Sequence, residues 1–128
     1  MKRDMDLIRD VLLKLEGMDK PAAKNLTNDE DTDEDYQKLL EHLQLLIDEA
    51  GFVSGISAHS AGGKYWLDLR LTWEGHEYLD TIRDAEIWSL TKDKAQKVGG
   101  FSVEVLGAIA KGLIKKKIED HSGVEIDL

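Results

Sequence analysis

Apolar side chains recur at helical spacing near the start of the chain. Leu7, Ile8, Val11, Leu12 and Leu15 share one face, and Gly17 supplies a stop. Lys20-Pro21 then restricts the backbone. Between Pro21 and Thr32 only Ala22, Ala23 and Leu26 are apolar, which predicts no more than a short helical turn. The strongest pattern follows: Tyr36, Leu39, Leu40, Leu43, Leu46, Ile47 and Ala50 repeat with a helical period and end at Gly51, a residue suited to close a helix. After Gly51 the period changes. Phe52, Val53 and Ile56, then Tyr65, Leu67, Leu69 and Leu71 alternating with Trp66, Asp68 and Arg70, predict two antiparallel strands joined through Ser60-Ala61-Gly62-Gly63. Thr72 is placed to cap a further helix with Tyr78, Leu79 and Ile82 inside, and Ile87, Trp88, Leu90 and Val98 resume or continue the helical pattern up to Gly99-Gly100. Ser102 caps a last helix carrying Val103, Leu106, Ala110, Leu113 and Ile114, and the tail after Ile118 is expected to fray.

At 128 residues the chain has the size of one domain, which the pattern divides into a core over residues 1–90 and a helical extension over 91–128, packed on that core or forming a dimer contact. It contains no cysteine, which removes disulfide frameworks, thiolate zinc sites and cysteine nucleophiles and fits a cytoplasmic protein. No apolar run approaches the length of a membrane span, so a membrane role is not expected.

Charge changes the picture more. The formal net charge is −9, and it is uneven: residues 1–50 hold 14 acidic and 7 basic side chains, whereas residues 91–128 hold 6 and 7. Asn28 to Asp35 contains six carboxylates, Asp29, Glu30, Asp31, Asp33, Glu34 and Asp35, and no cation. Acids just ahead of a helix interact favourably with its N-terminal dipole, so this run introduces the helix that ends at Gly51.

The order of helix, acidic connector, strong helix, hairpin and helix predicts a mainly α protein with a small antiparallel hairpin (α+β), specifically a winged helix-turn-helix with additional C-terminal helices. Several segments also resemble a known family. Met1-Lys2-Arg3-Asp4-Met5-Asp6-Leu7-Ile8-Arg9, His42-Leu43-Gln44-Leu45-Leu46-Ile47-Asp48-Glu49-Ala50-Gly51 and Leu71-Thr72-Trp73-Glu74-Gly75-His76-Glu77-Tyr78-Leu79-Asp80 are similar to the bacterial and phage proteins grouped as domain of unknown function 2513, as are Ile82-Arg83-Asp84, Ile87-Trp88 and Gly99-Gly100. The resemblance reaches roughly to Leu113. It implies a small winged-helix-like protein, often encoded in prophages and mobile elements, with no catalytic residues to transfer.

Catalytic and metal motifs do not assemble. The alternating Asp29, Asp31, Asp33 and Asp35 fail as an EF-hand, because Glu34 stands where the loop needs glycine and Leu40 where it needs a bidentate glutamate. His42, His59, His76 and His121 are scattered, and Asp80 occupies the second histidine position of an H-E-x-x-H frame begun at His76. Neither glycine pair has a phosphate-loop context. Neither metal nor cofactor is expected.

Two non-enzymatic functions remain. The leading expectation is a prophage-type DNA-binding regulator that presents Lys38, His42, Gln44 and Leu45 from the helix and Lys64, Tyr65 and Arg70 from the hairpin to double-stranded DNA. Here Tyr36, Leu39, Leu40, Leu43 and Ile47 are taken to face the core. The alternative is an acidic interaction module whose Asp29, Glu30, Asp31, Asp33, Glu34 and Asp35 dock on, or inhibit, a basic nucleic-acid-binding partner. In either case a homodimer is expected through the last helix. Val105, Ile109 and Ile118 extend its apolar surface beyond one stripe, and Gly107 and Gly112 permit close approach of another helix.

Overall fold

The structure is a computed structural model that describes residues 2–21, 26, 32–61 and 63–123. Among these residues the protein is mainly helical with one two-stranded antiparallel hairpin, the α+β class expected. Helix α1 (Met5–Glu16) is followed by α2 (Asp33–Gln44), which runs on as a π-helical turn over Leu45–Glu49. Strands β1 (Val53–Ser60) and β2 (Gly63–Leu71) form the hairpin, and α3 (Trp73–Ile82), α4 (Ala85–Val98) and α5 (Val103–Ser122) complete the chain. It divides into two compact units, Met1–Glu77 and Tyr78–Leu128, with the boundary inside α3. The short turn expected between Pro21 and Thr32 falls largely outside the described residues.

Local chemistry accounts for most helix ends in the first unit. The Asp4 carboxylate accepts from the Leu7 N–H at 3.0 Å to start α1. At α2 a reciprocal capping box forms: the Asp35 N–H donates to the Thr32 hydroxyl at 3.1 Å, while the Thr32 N–H donates to the Asp35 carboxylate at 3.2 Å. The Ala50 N–H reaches back five residues to Leu45 O at 2.8 Å, widening the last turn, and Gly51 leaves the helix at φ +71°.

The core of this unit is built from Met5, Ile8, Val11, Leu12 and Leu15 of α1, Leu39, Leu43 and Leu46 around α2, and Val53, Trp66, Leu69 and Leu71 of the hairpin. Helix α1 packs against β2 and α2. The buried stripe of α2 is rotated from the expected one: Leu39, His42, Leu43 and Leu46 are inside, whereas Tyr36, Leu40 and Ile47 are half-buried.

Strict alternation in β2 is also broken. Val53 pairs with Leu71 and Ser54 with Arg70, but Ile56 pairs with Leu67, so Asp68 and Leu69 together oppose Gly55. Asp68 takes φ +52°, and this bulge resets the side-chain alternation. Trp66, Leu69 and Leu71 therefore share the buried set, and Tyr65 and Leu67 are only half-buried.

In the second unit α4 packs against α5. Asp84 caps α4 through the Ile87 N–H at 2.9 Å, and Ser102 caps α5 through the Val105 N–H at 3.1 Å. Gly99 closes α4 at φ +73°. The tail does not fray after Ile118 as expected: α5 continues to Ser122, whose hydroxyl donates to Ile118 O at 2.6 Å, and Gly123 closes it at φ +68°.

Candidate functional site

Helix α2 and its π-helical extension expose many carboxylates and few cations. Asp33, Glu34, Asp35, Glu41, Asp48 and Glu49 are all exposed along the helix and its π-helical extension, and the only basic side chains on this stretch are Lys38 and the buried His42. The one lysine is already engaged. Its Nζ lies 2.6 Å from the Asp4 Oδ2. Donation from Lys38 and from the Leu7 N–H holds the Asp4 carboxyl below its ordinary value, and Asp4, with Asp35 and Glu34 adding attraction, raises the Lys38 ammonium.

His42 belongs to the interior. It is fully buried, with Nε2 accepting from the Asp4 N–H at 2.8 Å and Nδ1 2.8 Å from Lys38 O. Because Nε2 must accept, the ring proton sits on Nδ1 and is donated to that carbonyl. The expectation that His42 presents itself on the surface is therefore corrected. It joins the N-terminus of α1 to α2.

A groove of about 300 Å³ runs between α2 and the tip of the hairpin, lined by Tyr36, Gln37, Leu40, Glu41, Gln44, Gly63, Lys64 and Trp66. Of the residues predicted to touch DNA, it brings Gln44 and Lys64 together. The Lys64 ammonium lies over the Trp66 ring, 4.9 Å from its centroid. Glu41 has no ion-pair partner among the described residues.

The remaining candidates lie apart from this groove. Leu45 is half-buried at the start of the π-helical turn, and Tyr65 is half-buried on β2. Arg70 is exposed and lines a different hollow, of about 250 Å³, with Leu15, Met18, Leu71 and His76. Asp33, Glu34 and Asp35 form the first turn of α2, whereas Asp29, Glu30 and Asp31 lie outside the described residues. On α5, Val105, Gly107, Ile109 and Ile118 are half-buried and Gly112 is exposed. A Cβ added at either glycine would meet nothing within 4 Å.

Sequence reasoning offers neither Tyr36 nor Glu41 as a site residue, whereas it places Gln37 at the edge of the outward face of α2 and Trp66 on the hairpin among the groups that could stack on bases or on a protein. The spacing of Gln37, Glu41 and Gln44 along α2 is the signal that was available, since residues three and four apart share a face. Tyr36 carries no such signal, because it fits the apolar pattern of α2.

Among the described residues, no group of three or more His, Cys, Asp or Glu side chains is placed to hold a metal ion, and no helix is long and apolar enough to cross a membrane. Residues 2–102 match the family described as "Hypothetical protein (DUF2513)". The chain is also similar to an uncharacterized protein of Haemophilus influenzae, 34% identical over 119 residues that cover 92% of this chain and 99% of that protein. No solved structure matches.

Proposed function

The chain belongs to the DUF2513 family, and from that premise we propose that it is a winged-helix-like protein-interaction module whose α2 face docks on a basic partner. The observation that carries this reading is the charge of α2, the helix that such a fold offers outward beside its hairpin. Six exposed carboxylates there face solvent, and the single lysine is paired with Asp4. Phosphates brought against that face meet like charge, whereas a basic protein surface meets its complement. The order of α1, α2, hairpin and α3 supports the winged-helix part of the proposal.

Contact with DNA is the second reading, and the groove is what favours it. Gln37 and Gln44 expose amides that can hydrogen-bond adenine edges, and Lys64 stands opposite them on the hairpin. The two readings separate in one experiment. Fluorescence anisotropy is recorded with a 12-residue arginine- and serine-containing peptide and with a random-sequence 20-base-pair duplex, for the natural chain and for a Glu41→Lys, Asp48→Lys variant. Docking predicts salt-sensitive peptide binding that the variant loses, and no duplex binding. Duplex binding that the variant strengthens, with no peptide binding, overturns it.

A further inference from the structure

The groove between α2 and the hairpin tip gathers groups that one guanidinium satisfies together. Leu40 offers apolar surface for a methylene stem, and Tyr36 offers a ring on which a planar cation stacks. The Glu41 carboxylate can accept two parallel N–H bonds, and the amide oxygens of Gln37 and Gln44 accept others. Exposed Asp33 and Glu34 on the same helix add long-range attraction for a cation. At about 300 Å³ the groove lies at the lower end of small-ligand sites, room for one long side chain rather than a large cofactor. Lys64 opposes an entering cation from the far wall, although its ammonium rests over the Trp66 ring.

We propose that this groove receives an arginine side chain of a protein partner, stacked on Tyr36 and paired with Glu41. The inference rests on the docking reading above and names the residue that reading requires. Lysine is a poorer occupant, because an ammonium neither stacks as a plane nor bonds a carboxylate through a fork. The opposing charge of Lys64 also gives the proposal a sign that DNA binding reverses. Removing Lys64 helps an arginine enter, whereas it deprives a phosphate of its cation.

The test is a ¹⁵N–¹H NMR titration of the full chain with Nα-acetyl-arginine methylamide and, separately, with the lysine counterpart. The expected result is shifts confined to the Gln37 and Gln44 side-chain amides and to Lys64 and Trp66, with arginine binding several-fold tighter than lysine. Glu41→Gln removes that preference, and Lys64→Met strengthens arginine binding; both positions lie at the groove surface, and each variant's unperturbed spectrum reports its fold. Equal, diffuse shifts along Asp33–Asp35, Asp48 and Glu49 for both probes overturn the arginine groove while leaving a docking face. An absence of shifts overturns the groove as well, and the peptide experiment then judges docking on its own. Shifts in the groove from a short duplex but not from arginine, weakened by Lys64→Met, overturn both.

Discussion

The carbonyl oxygen of Phe52 occupies the space beside Gly75 so closely that a Cβ built on that glycine would lie 2.0 Å from it. The approach is held by a small network at the base of the hairpin. The Thr72 N–H donates to Phe52 O at 3.0 Å, the Thr72 hydroxyl donates to Gly51 O at 2.5 Å, and the Gly75 N–H donates to that hydroxyl at 3.1 Å. The end of α2 and the start of α3 are thus tied to one another through a threonine, and glycine is required because backbone, not a movable side chain, fills its flank. Gly75→Ala is expected to destabilise the protein by about 3 kcal/mol or more, the upper range of overpacking changes, measured by equilibrium urea unfolding. Gly55→Ala is expected to cost less, since the atom it meets, at 2.8 Å, is the tip of the Leu69 side chain.

Asp68 gives a second expectation. At φ +52° it occupies the left-handed region, which aspartate, asparagine and glycine enter more easily than other residues. Asp68→Asn or Asp68→Gly should leave stability within a few tenths of a kcal/mol or raise it slightly, and Asp68→Val should lower it by roughly 1–2 kcal/mol. Thermal unfolding of the three variants checks the order. Near-UV circular dichroism of Asp68→Val reports whether Trp66 keeps its environment when the bulge is strained.

Legibility in the sequence followed the range of the interactions. Helix caps such as Thr72 and Ser102 and stops such as Gly51 and Gly99 act within three or four residues, and they stood where sequence chemistry put them. The side of β2 that faces inward was not legible, because one extra residue opposite Gly55 inverts the alternation, and no local pattern marks Asp68 as that residue. The burial of His42 is hidden in the sequence for a similar reason: its partners are the Asp4 N–H, 38 positions away, and a carbonyl of its own helix. The groove is the least legible feature. It exists only because the hairpin tip comes beside α2, and the spacing of Tyr36 and Leu40 groups them with the core positions.

Burial of His42 makes a prediction about its ring. The Asp4 N–H aims at Nε2, so long-range ¹⁵N–¹H correlation spectra should show the neutral Nδ1–H tautomer. His42→Phe fills much of the same space but leaves the Asp4 N–H without its acceptor. The expected loss is about 1–3 kcal/mol, the penalty of an unpaired polar group away from water. His42→Gln can restore an acceptor, so it should recover part of that loss in urea unfolding.

The Asp4–Lys38 pair predicts how stability changes with pH. Asp4 titrates below its ordinary value when folded, chiefly through its hydrogen bond with Lys38 and then that with the Leu7 N–H. Its contribution is present above the ordinary aspartate range, about 3.9, and is lost as pH falls through the lowered folded value. Lys38 titrates above its ordinary value when folded, chiefly through the same hydrogen bond. That contribution is present below the ordinary lysine value, about 10.4, and is lost as pH rises through the raised folded one. Both halves of the pair therefore stabilise the fold between roughly pH 4 and 10. Asp4→Asn keeps an N-cap acceptor for the Leu7 N–H and removes only the charge, so it should lower stability on this plateau and make the acid limb shallower. Lys38→Met should flatten the alkaline limb as well, and by removing the chief cause of the Asp4 shift it should move the acid transition upward. Urea midpoints of the natural chain and both variants from pH 2 to pH 11 check these limbs; identical profiles would show that the pair carries no free energy in solution.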